Sequence, residues 1–124
     1  DMARFAPYRT QLDDAIKNFE LILSDDMYQA VRDRGFDFRR DYFVWNELGI
    51  VRFERAEQER GPKRVAERTR RFGEAVDAFE HTLREDAEDI TAHYNLALLC
   101  EQLGRPREAL RHMTRYRKLT ARSV

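Results

Sequence analysis

The sequence predicts an all-α protein built from stacked helical hairpins, and three observations support this prediction. Charged residues make up 37% of the 124 residues, whereas there are only 5 Gly and 3 Pro, a composition typical of solvated helices. Apolar residues recur at three- and four-residue steps through most of the chain. Two similar segments around Ala75 and Ala109 lie 34 residues apart, and such a period indicates a solenoid of helical hairpins.

Composition limits what else the chain can be. A chain of this length is expected to form one domain, residues 1–124, with a modest core. The 23 Lys and Arg residues balance 23 Asp and Glu residues, so no overall field favours nucleic acid or an anionic membrane as a partner. No apolar run approaches the roughly 18 residues of a membrane span, so we expect no membrane insertion. Because Asp1 precedes Met2, we expect either a mature product or an excised piece of a longer protein, and we favour a fragment of a larger protein.

Residues 8–24 are predicted to form half of a hairpin. Pro7 suits the first turn of a helix, and the residues before it have no periodicity. Ala15 and Phe19 have the same Ala-x-x-x-aromatic spacing as Ala75 and Phe79. We therefore expect the second helix of a repeat that lacks its first helix.

Residues 25–41 are predicted to be an insert. Ser24 is expected to cap a short helix that ends near Gly35. Phe36 and Phe38 then alternate with charged residues, which fits a loop whose rings dock on neighbouring helices better than it fits a strand.

Residues 42–86 are predicted to be a long hairpin. The first helix should run from Tyr42 to about Arg60, where Gly61 and Pro62 end it. The second should run from Lys63 to Glu85, with the interior glycine Gly73 placed where two backbones approach. The apolar faces of the two helices are expected to include Phe43, Trp45, Leu48, Val51, Ala56, Val65, Phe72, Ala75, Val76, Phe79 and Leu83.

Residues 89–120 are predicted to be a second, shorter hairpin. Acidic residues from Asp86 to Asp89 suit a turn and a helix N-cap, and Gly104 and Pro106 separate the two helices. The tail beyond Thr120 should fray. The last helix is expected to present Ala109, Leu110, Met113, Tyr116 and Leu119 on its apolar face.

These segments resemble the tetratricopeptide repeat family, whose pattern is Trp-x-x-Leu-Gly-x-x-Tyr, then Ala-x-x-x-Phe, then Pro. Trp45, Leu48 and Gly49 match the opening of the first repeat, and Ala75 and Phe79 match its second helix. In the second repeat Leu96, Gly104 and Ala109 match, while His93, Ala97, Cys100 and Met113 replace Trp, Gly, Tyr and Phe. The resemblance implies antiparallel hairpins stacked in a short right-handed solenoid.

The first repeat is longer than the second. It has 14 more residues between Gly49 and Ala75 than the second has between Ala97 and Ala109. Split evenly, they would lengthen each helix by about two turns, or ~10 Å, and the hairpin should project beyond its neighbours. Four residues near its tip form a secondary basic edge: Lys63, Arg64, Arg68 and Arg71. We favour a solvated face with Glu57, Glu59 and Glu67 as helix partners, and a partner-docking edge is the alternative.

The segment from Arg34 to Tyr42 also resembles repeat regions appended to bacterial multihaem c-type cytochromes. No Cys-x-x-Cys-His occurs, so the chain cannot attach haem in the usual way and no cofactor is expected. This resemblance implies an interaction module of a periplasmic redox protein. Without it, the localisation expected is cytoplasmic.

Nothing in the sequence indicates catalysis or a metal site. His81, His93 and His112 come from three different helices, and none has a second His or a Cys at ligand spacing. His93 is expected to fill the packing position of the family's Trp, and His81 and His112 to be partly exposed. Cys100, the single cysteine, is expected to be a buried small hydrophobe. The chain is therefore not expected to be an enzyme.

The resemblance implies a binding groove, because the first helix of each hairpin lines the concave face in that family. The groove should be apolar with an acidic rim and should accept a peptide or helix with apolar anchors and basic residues. Alternatively, Phe36 and Phe38, or a following repeat, cover it. The residues predicted to line it are Asn46, Glu47, Ile50, Phe53, Glu54, Tyr94, Asn95, Leu98, Glu101 and Gln102.

The function expected from the sequence is a non-catalytic protein–protein interaction module. The alternative is a structural or self-association segment of a larger protein, present as a homodimer. RNA binding through the basic edge is disfavoured because no aromatic residues are interleaved with its cations.

Overall fold

The computed structural model describes residues 6–122, which contain six α-helices packed against one another and no β-strand. The prediction of an all-α protein is confirmed. The expected lack of order before Pro7 and the expected fraying of the tail fall mainly on residues outside this range. The helices are α1 (Ala6–Ile22), α2 (Asp25–Val31), α3 (Tyr42–Glu57), α4 (Val65–Glu85), α5 (Ile90–Gln102) and α6 (Pro106–Ala121).

From α3 onward, helices that follow one another in sequence pack side by side. α3 lies along α4, α5 lies along α6, and α4 also packs against α5, while α1 packs on α3. Burying a large aliphatic or aromatic side chain contributes about 1.5–3 kcal/mol, so this shared core is the main source of stability. The core cluster consists of Ala56, Phe72, Ala75, Val76, Phe79, Ala92, Leu96 and Leu99.

Side-chain caps fix where three helices begin. Ser24 Oγ accepts from the Met27 amide at 3.2 Å, and Asp89 Oδ1 accepts from the Ala92 amide at 2.8 Å, so both predicted caps are confirmed. Asp41 similarly accepts from the amide of Phe43 at 2.9 Å. Each such cap contributes about 1 kcal/mol by satisfying an amide that has no partner within the helix.

At Gly49 the backbone of α3 lies directly against a side chain of α4. A Cβ atom at Gly49 would lie 2.7–2.8 Å from three ring atoms of the buried Phe79. The prediction that Gly73 marks a close approach is wrong, because a Cβ at Gly73 would meet nothing within 4 Å. Gly49, and not Gly73, therefore provides the room for this contact.

The lengthening of the first hairpin is unequal, so the prediction of two turns per helix is wrong. α3 ends eight residues after Gly49, whereas α5 ends five residues after Ala97. α4 begins ten residues before Ala75, whereas α6 begins three residues before Ala109. Two turns are therefore added to α4 and less than one to α3, and the remaining residues lengthen the connection.

The long hairpin also does not project freely on its α1 side. Asp13 of α1 accepts a hydrogen bond from Arg55 at 2.9 Å, and the Tyr8 hydroxyl donates to Glu54. The N-terminal half of α1 therefore lies alongside the end of α3.

Three large side chains that the helical spacing placed on apolar faces are exposed instead. Phe43 is 61% exposed, Val65 59% and Leu110 69%. Phe43 and Val65 lie in the first turns of α3 and α4, and Val44 takes the buried position beside Phe43. Spacing defines a face of a helix, but the face is buried only where another helix covers it.

The insert docks on α3 through a backbone carbonyl rather than through both phenylalanine rings, and an arginine contact holds the insert itself together. Trp45 Nε1 donates to the Arg39 carbonyl at 2.8 Å, and the Arg39 guanidinium lies 3.8 Å from the centre of the Tyr28 ring. Phe36 stacks on Phe38 at 6.1 Å and remains 54% exposed. The predicted docking of the Phe36 ring on a helix is therefore wrong.

Candidate functional site

The open face of α5 carries the predicted groove residues of the second repeat. Tyr94 is 40% exposed and its ring centre lies 5.0 Å from that of Tyr116. Leu98 is half-buried, and Glu101 and Gln102 are exposed. The face thus combines apolar surface with one carboxylate, and we call Tyr94, Leu98, Glu101 and Gln102 the α5 face.

A shallow pocket of about 200 Å³ extends this face. Ile90, Tyr94 and Tyr116 supply its apolar walls, and Ile90 is 46% exposed. Asn95 also lines the pocket, but its side-chain amide donates to the Thr91 carbonyl at 3.0 Å. The sequence did not single out Ile90 or Tyr116 as groove residues, because their proximity depends on how α6 crosses α5.

The predicted groove residues of the first repeat are largely engaged inside the molecule. Asn46 is 7% exposed and its Nδ2 donates to Asp89 Oδ1 at 3.0 Å, which ties α3 to the start of α5. Phe53 packs edge-to-face on Phe72 with ring centres 5.8 Å apart. Ile50 packs against the core cluster, Glu54 accepts from Tyr8, and Glu47 is half-exposed. The accessible groove is therefore centred on α5.

The secondary basic edge forms intramolecular contacts. Arg64 pairs with Glu59 at 2.7 Å, and Arg71 pairs with Glu67 at 3.0 Å. Arg68 donates to the Glu59 carbonyl at 3.0 Å. Lys63 is exposed. Three of the four cations thus stabilise the hairpin, which favours the solvated-face interpretation over a docking edge.

Glu59 does not fit the solvated-face interpretation, because its side chain is buried. Its side chain is 1% exposed and accepts from Arg55 at 2.9 Å and from Arg64 at 2.7 Å, while Arg71 lies 3.6 Å away. Arg55 also reaches Asp13 of α1 at 2.9 Å. A buried charge is tolerated only when it is paired and hydrogen-bonded, and here five charged groups meet that condition together.

This network explains why α3 ends before Gly61. The amides of Gln58 and Glu59 donate to the Arg55 and Ala56 carbonyls at 3.1 and 3.0 Å, a tightened last turn that carries Glu59 inward. Hydrogen bonds from Arg64 and Arg55 hold the pKa of Glu59 below its usual value, although burial opposes them. On the surface of α4, the Arg70 hydrogen bond lowers the pKa of Glu67 to about 2.

Two histidines join α5 to α6. His93 Nε2 lies 2.9 Å from the Ala87 carbonyl and must donate to it, because a carbonyl oxygen only accepts. When His93 is neutral, its Nδ1 accepts from His112 Nδ1 at 3.0 Å. Burial and the neighbouring His93 lower the pKa of His112, which favours the neutral form of His112. His93 is 7% exposed, in agreement with its expected packing position.

The two remaining candidate side chains, His81 and Cys100, pack against other parts of the protein. His81 stacks on Trp45 with ring centres 4.0 Å apart, and burial lowers its pKa. Cys100 is buried, as predicted, and burial raises the pKa of its thiol. Within residues 6–122, no group of three or more His, Cys, Asp or Glu side chains is arranged to hold a metal ion.

Comparisons with protein-family models, with curated proteins and with solved structures found no match to this chain. None of the described helices is both long enough and apolar enough to cross a membrane.

Proposed function

We propose that the chain is a short right-handed array of tetratricopeptide-like hairpins that binds a partner protein through the α5 face and carries out no catalysis. The observation that carries this proposal is an exposed apolar helix face beside a shallow pocket. Tyr94 and Ile90 are 40% and 46% exposed there, and each flanks the pocket.

The burial of the motif residues supports the repeat interpretation. Leu48 and Leu96, at equivalent motif positions, are each 1% exposed, and Ala75 is fully buried. The Gly49 backbone lies against the Phe79 ring. In that family the same positions form the contacts within and between hairpins, so the pattern and the packing agree. The packing of α4 against both α3 and α5 is also what a stacked array requires.

The chemistry of the α5 face favours a basic partner with apolar anchors. Leu98 and Tyr94 offer apolar contact along one side of the helix, and Glu101 adds a carboxylate one turn beyond Leu98. A helix that lays leucines on Tyr94 and Leu98 could place a Lys or Arg near Glu101. This is helix-in-groove recognition, in which spaced apolar anchors supply most of the affinity.

A series of three labelled helical peptides tests the proposal. The peptides share the same leucine positions and differ in being basic, neutral or acidic, and binding is measured by fluorescence anisotropy. The basic peptide should bind, and Glu101→Lys should weaken its binding by about tenfold through charge reversal. Glu80→Lys, an equal change at an exposed position of α4, should change it by less than about twofold.

Absence of binding by the basic peptide would contradict the proposal, as would equal losses in the two variants. Circular dichroism of both variants checks that each remains folded. Leu98→Gln provides a second variant that removes an apolar anchor without altering charge.

A self-association segment of a larger, cytochrome-linked periplasmic protein is the second candidate. Leu21 and Phe43 are 58% and 61% exposed, and surface of this kind can join two copies.

A further inference from the structure

We propose that the outer side of α6 is a second docking surface, which accepts an acidic amphipathic helix of a partner protein. The surface is a groove of about 600 Å³, here called the α6 groove, and Arg107, Leu110, Arg111, His112, Arg115 and Lys118 line it. This groove is a different surface from the α5 face. Docking at the α6 groove does not depend on the function proposed for the α5 face.

Charge is the first argument for an acidic partner. α6 contains five Lys or Arg residues and one Glu, although the whole chain is neutral. Four of the five cations line the groove, and among the described residues no acidic side chain does. The positive surface is therefore concentrated on one side of a single helix.

Most of these cations also form no ion pair with another described residue. Arg115 pairs with Glu88 at 3.3 Å. Within residues 6–122, Arg107, Arg111 and Lys118 have no acidic side chain within ion-pair distance. By contrast, several arginines of α3 and α4 are matched by nearby carboxylates, as Arg70 is by Glu67 and Glu74. Carboxylates brought by a partner would provide the missing complement.

Leu110 is the second argument, because it indicates a protein partner. It is 69% exposed and lies between Arg107 and Arg111 on the groove side of the helix. From Arg107 to Lys118 the groove follows about three turns of α6, or ~16 Å. A partner helix with an apolar residue over Leu110 and acidic residues on either side matches both the length and the composition.

A nucleic acid fits these observations less well. Single-stranded nucleic acids bind where aromatic rings stack on bases beside cations. The tyrosines of this region, Tyr94 and Tyr116, contact each other at a tilted angle and line the pocket of the α5 face, not the α6 groove. Leu110 offers nothing to a phosphate backbone. A second copy of the chain, with acidic residues on α1, is the other occupant that the test must exclude.

The peptide series described above tests this proposal by its acidic member. The acidic peptide should bind at low salt at least about tenfold more tightly than the neutral one, and high salt should weaken it. Arg111→Glu should weaken binding by about tenfold or more. Arg117→Glu is the matched control, because it makes the same change on the same helix outside the groove lining, and it should alter binding by less than about twofold.

Four results would overturn the proposal. The first is no binding of the acidic peptide, and the second is an equal loss in Arg111→Glu and Arg117→Glu, which would indicate only overall charge. The third is tighter binding of a single-stranded RNA oligonucleotide than of the acidic peptide. The fourth is a dimer in light scattering that Arg111→Glu dissociates, since the occupant would then be a second copy. Glu101→Lys should leave binding of the acidic peptide intact. Failure of the α6 groove proposal is therefore distinguishable from failure of the α5 face proposal.

Discussion

Glu59 shows how one buried carboxylate connects four segments of the chain. Through Arg55 and Arg64 it joins α3 to the connection that follows, Arg71 links it to α4, and Arg55 extends the network to Asp13 of α1. The sequence contains the Arg55–Glu59 spacing of four residues, which indicates a helix pair. It could not reveal burial, because burial depends on α1 and α4 closing over the pair.

Replacing this carboxylate by an amide should be costly. In Glu59→Gln, Arg55 keeps its charge with a side chain that is only 9% exposed, and it loses one of its two acidic partners. Breaking a buried pair in this way costs about 3–5 kcal/mol, so we expect the free energy of unfolding in urea to fall by about 3 kcal/mol. Glu57→Gln, an exposed neighbour, should stay within about 0.5 kcal/mol of the original protein. Similar losses in both variants would show that the network adds no stability.

The histidine pair predicts that stability depends on pH. Burial lowers the pKa of His112 below the ordinary value of 6.5, so in the unfolded chain this group binds protons at pH values where the folded chain does not. Neutral His112 therefore contributes stability that is fully present above about pH 6.5 and is lost as the pH falls through the pKa of His112 in the folded chain.

Unfolding in urea between about pH 7 and pH 5 measures this dependence. The free energy of unfolding should fall with pH, and His112→Gln, which keeps a donor for His93, should reduce the slope. His81 also has a pKa lowered by burial and should account for part of the remaining slope. An unchanged slope in His112→Gln would show that the burial of His112 does not cause the pH dependence.

At the scale of helices, two glycines should respond in opposite ways to the same substitution. Gly49→Ala places a methyl group 2.7–2.8 Å from the Phe79 ring, which is fully buried and cannot move away without disturbing the core. Overpacking of this kind costs about 1–3 kcal/mol and should exceed the gain in helix propensity. Gly73→Ala meets open space and should stabilise α4 by up to about 1 kcal/mol.

Thermal unfolding of both variants compares them directly. The melting temperature should fall for Gly49→Ala and rise for Gly73→Ala. A rise in both would mean that α3 and α4 do not approach at Gly49.

Helix existence and boundaries were largely predictable because they depend on local chemistry. Ser24 and Asp89 cap helices that begin where the sequence placed them, and Pro106 begins α6. Between the equivalent motif positions, the first hairpin has 14 more residues than the second. Its length alone does not predict how these residues are divided between α3, the connection and α4. It follows from Glu59 turning inward, which ends α3 early and leaves two turns to α4.

At the scale of the whole molecule, the interaction-module and self-association hypotheses predict different masses in solution. If the exposed surfaces bind other proteins and not a second copy of the chain, the chain alone should remain a monomer of 14.9 kDa. Light scattering from micromolar to near-millimolar concentration measures this mass. A mass that rises towards twice this value would favour the self-association alternative.

The candidate surfaces were less predictable than the helices. Tyr94, Leu98 and Glu101 were identified because the family resemblance specifies which helix face is concave. Asn46 was assigned to the same groove, but it is buried against Asp89, a contact between residues 43 positions apart. The α6 groove escaped detection because the exposure of Leu110 depends on whether another helix covers α6.

The most direct test of the α5 face is an NMR titration of the isotope-labelled chain with the basic peptide. We predict saturable chemical-shift changes in the side chains of Tyr94, Leu98 and Gln102, with the α6 groove unaffected. Changes concentrated at Arg107 and Arg111, or no change at peptide concentrations near the solubility limit, would contradict it.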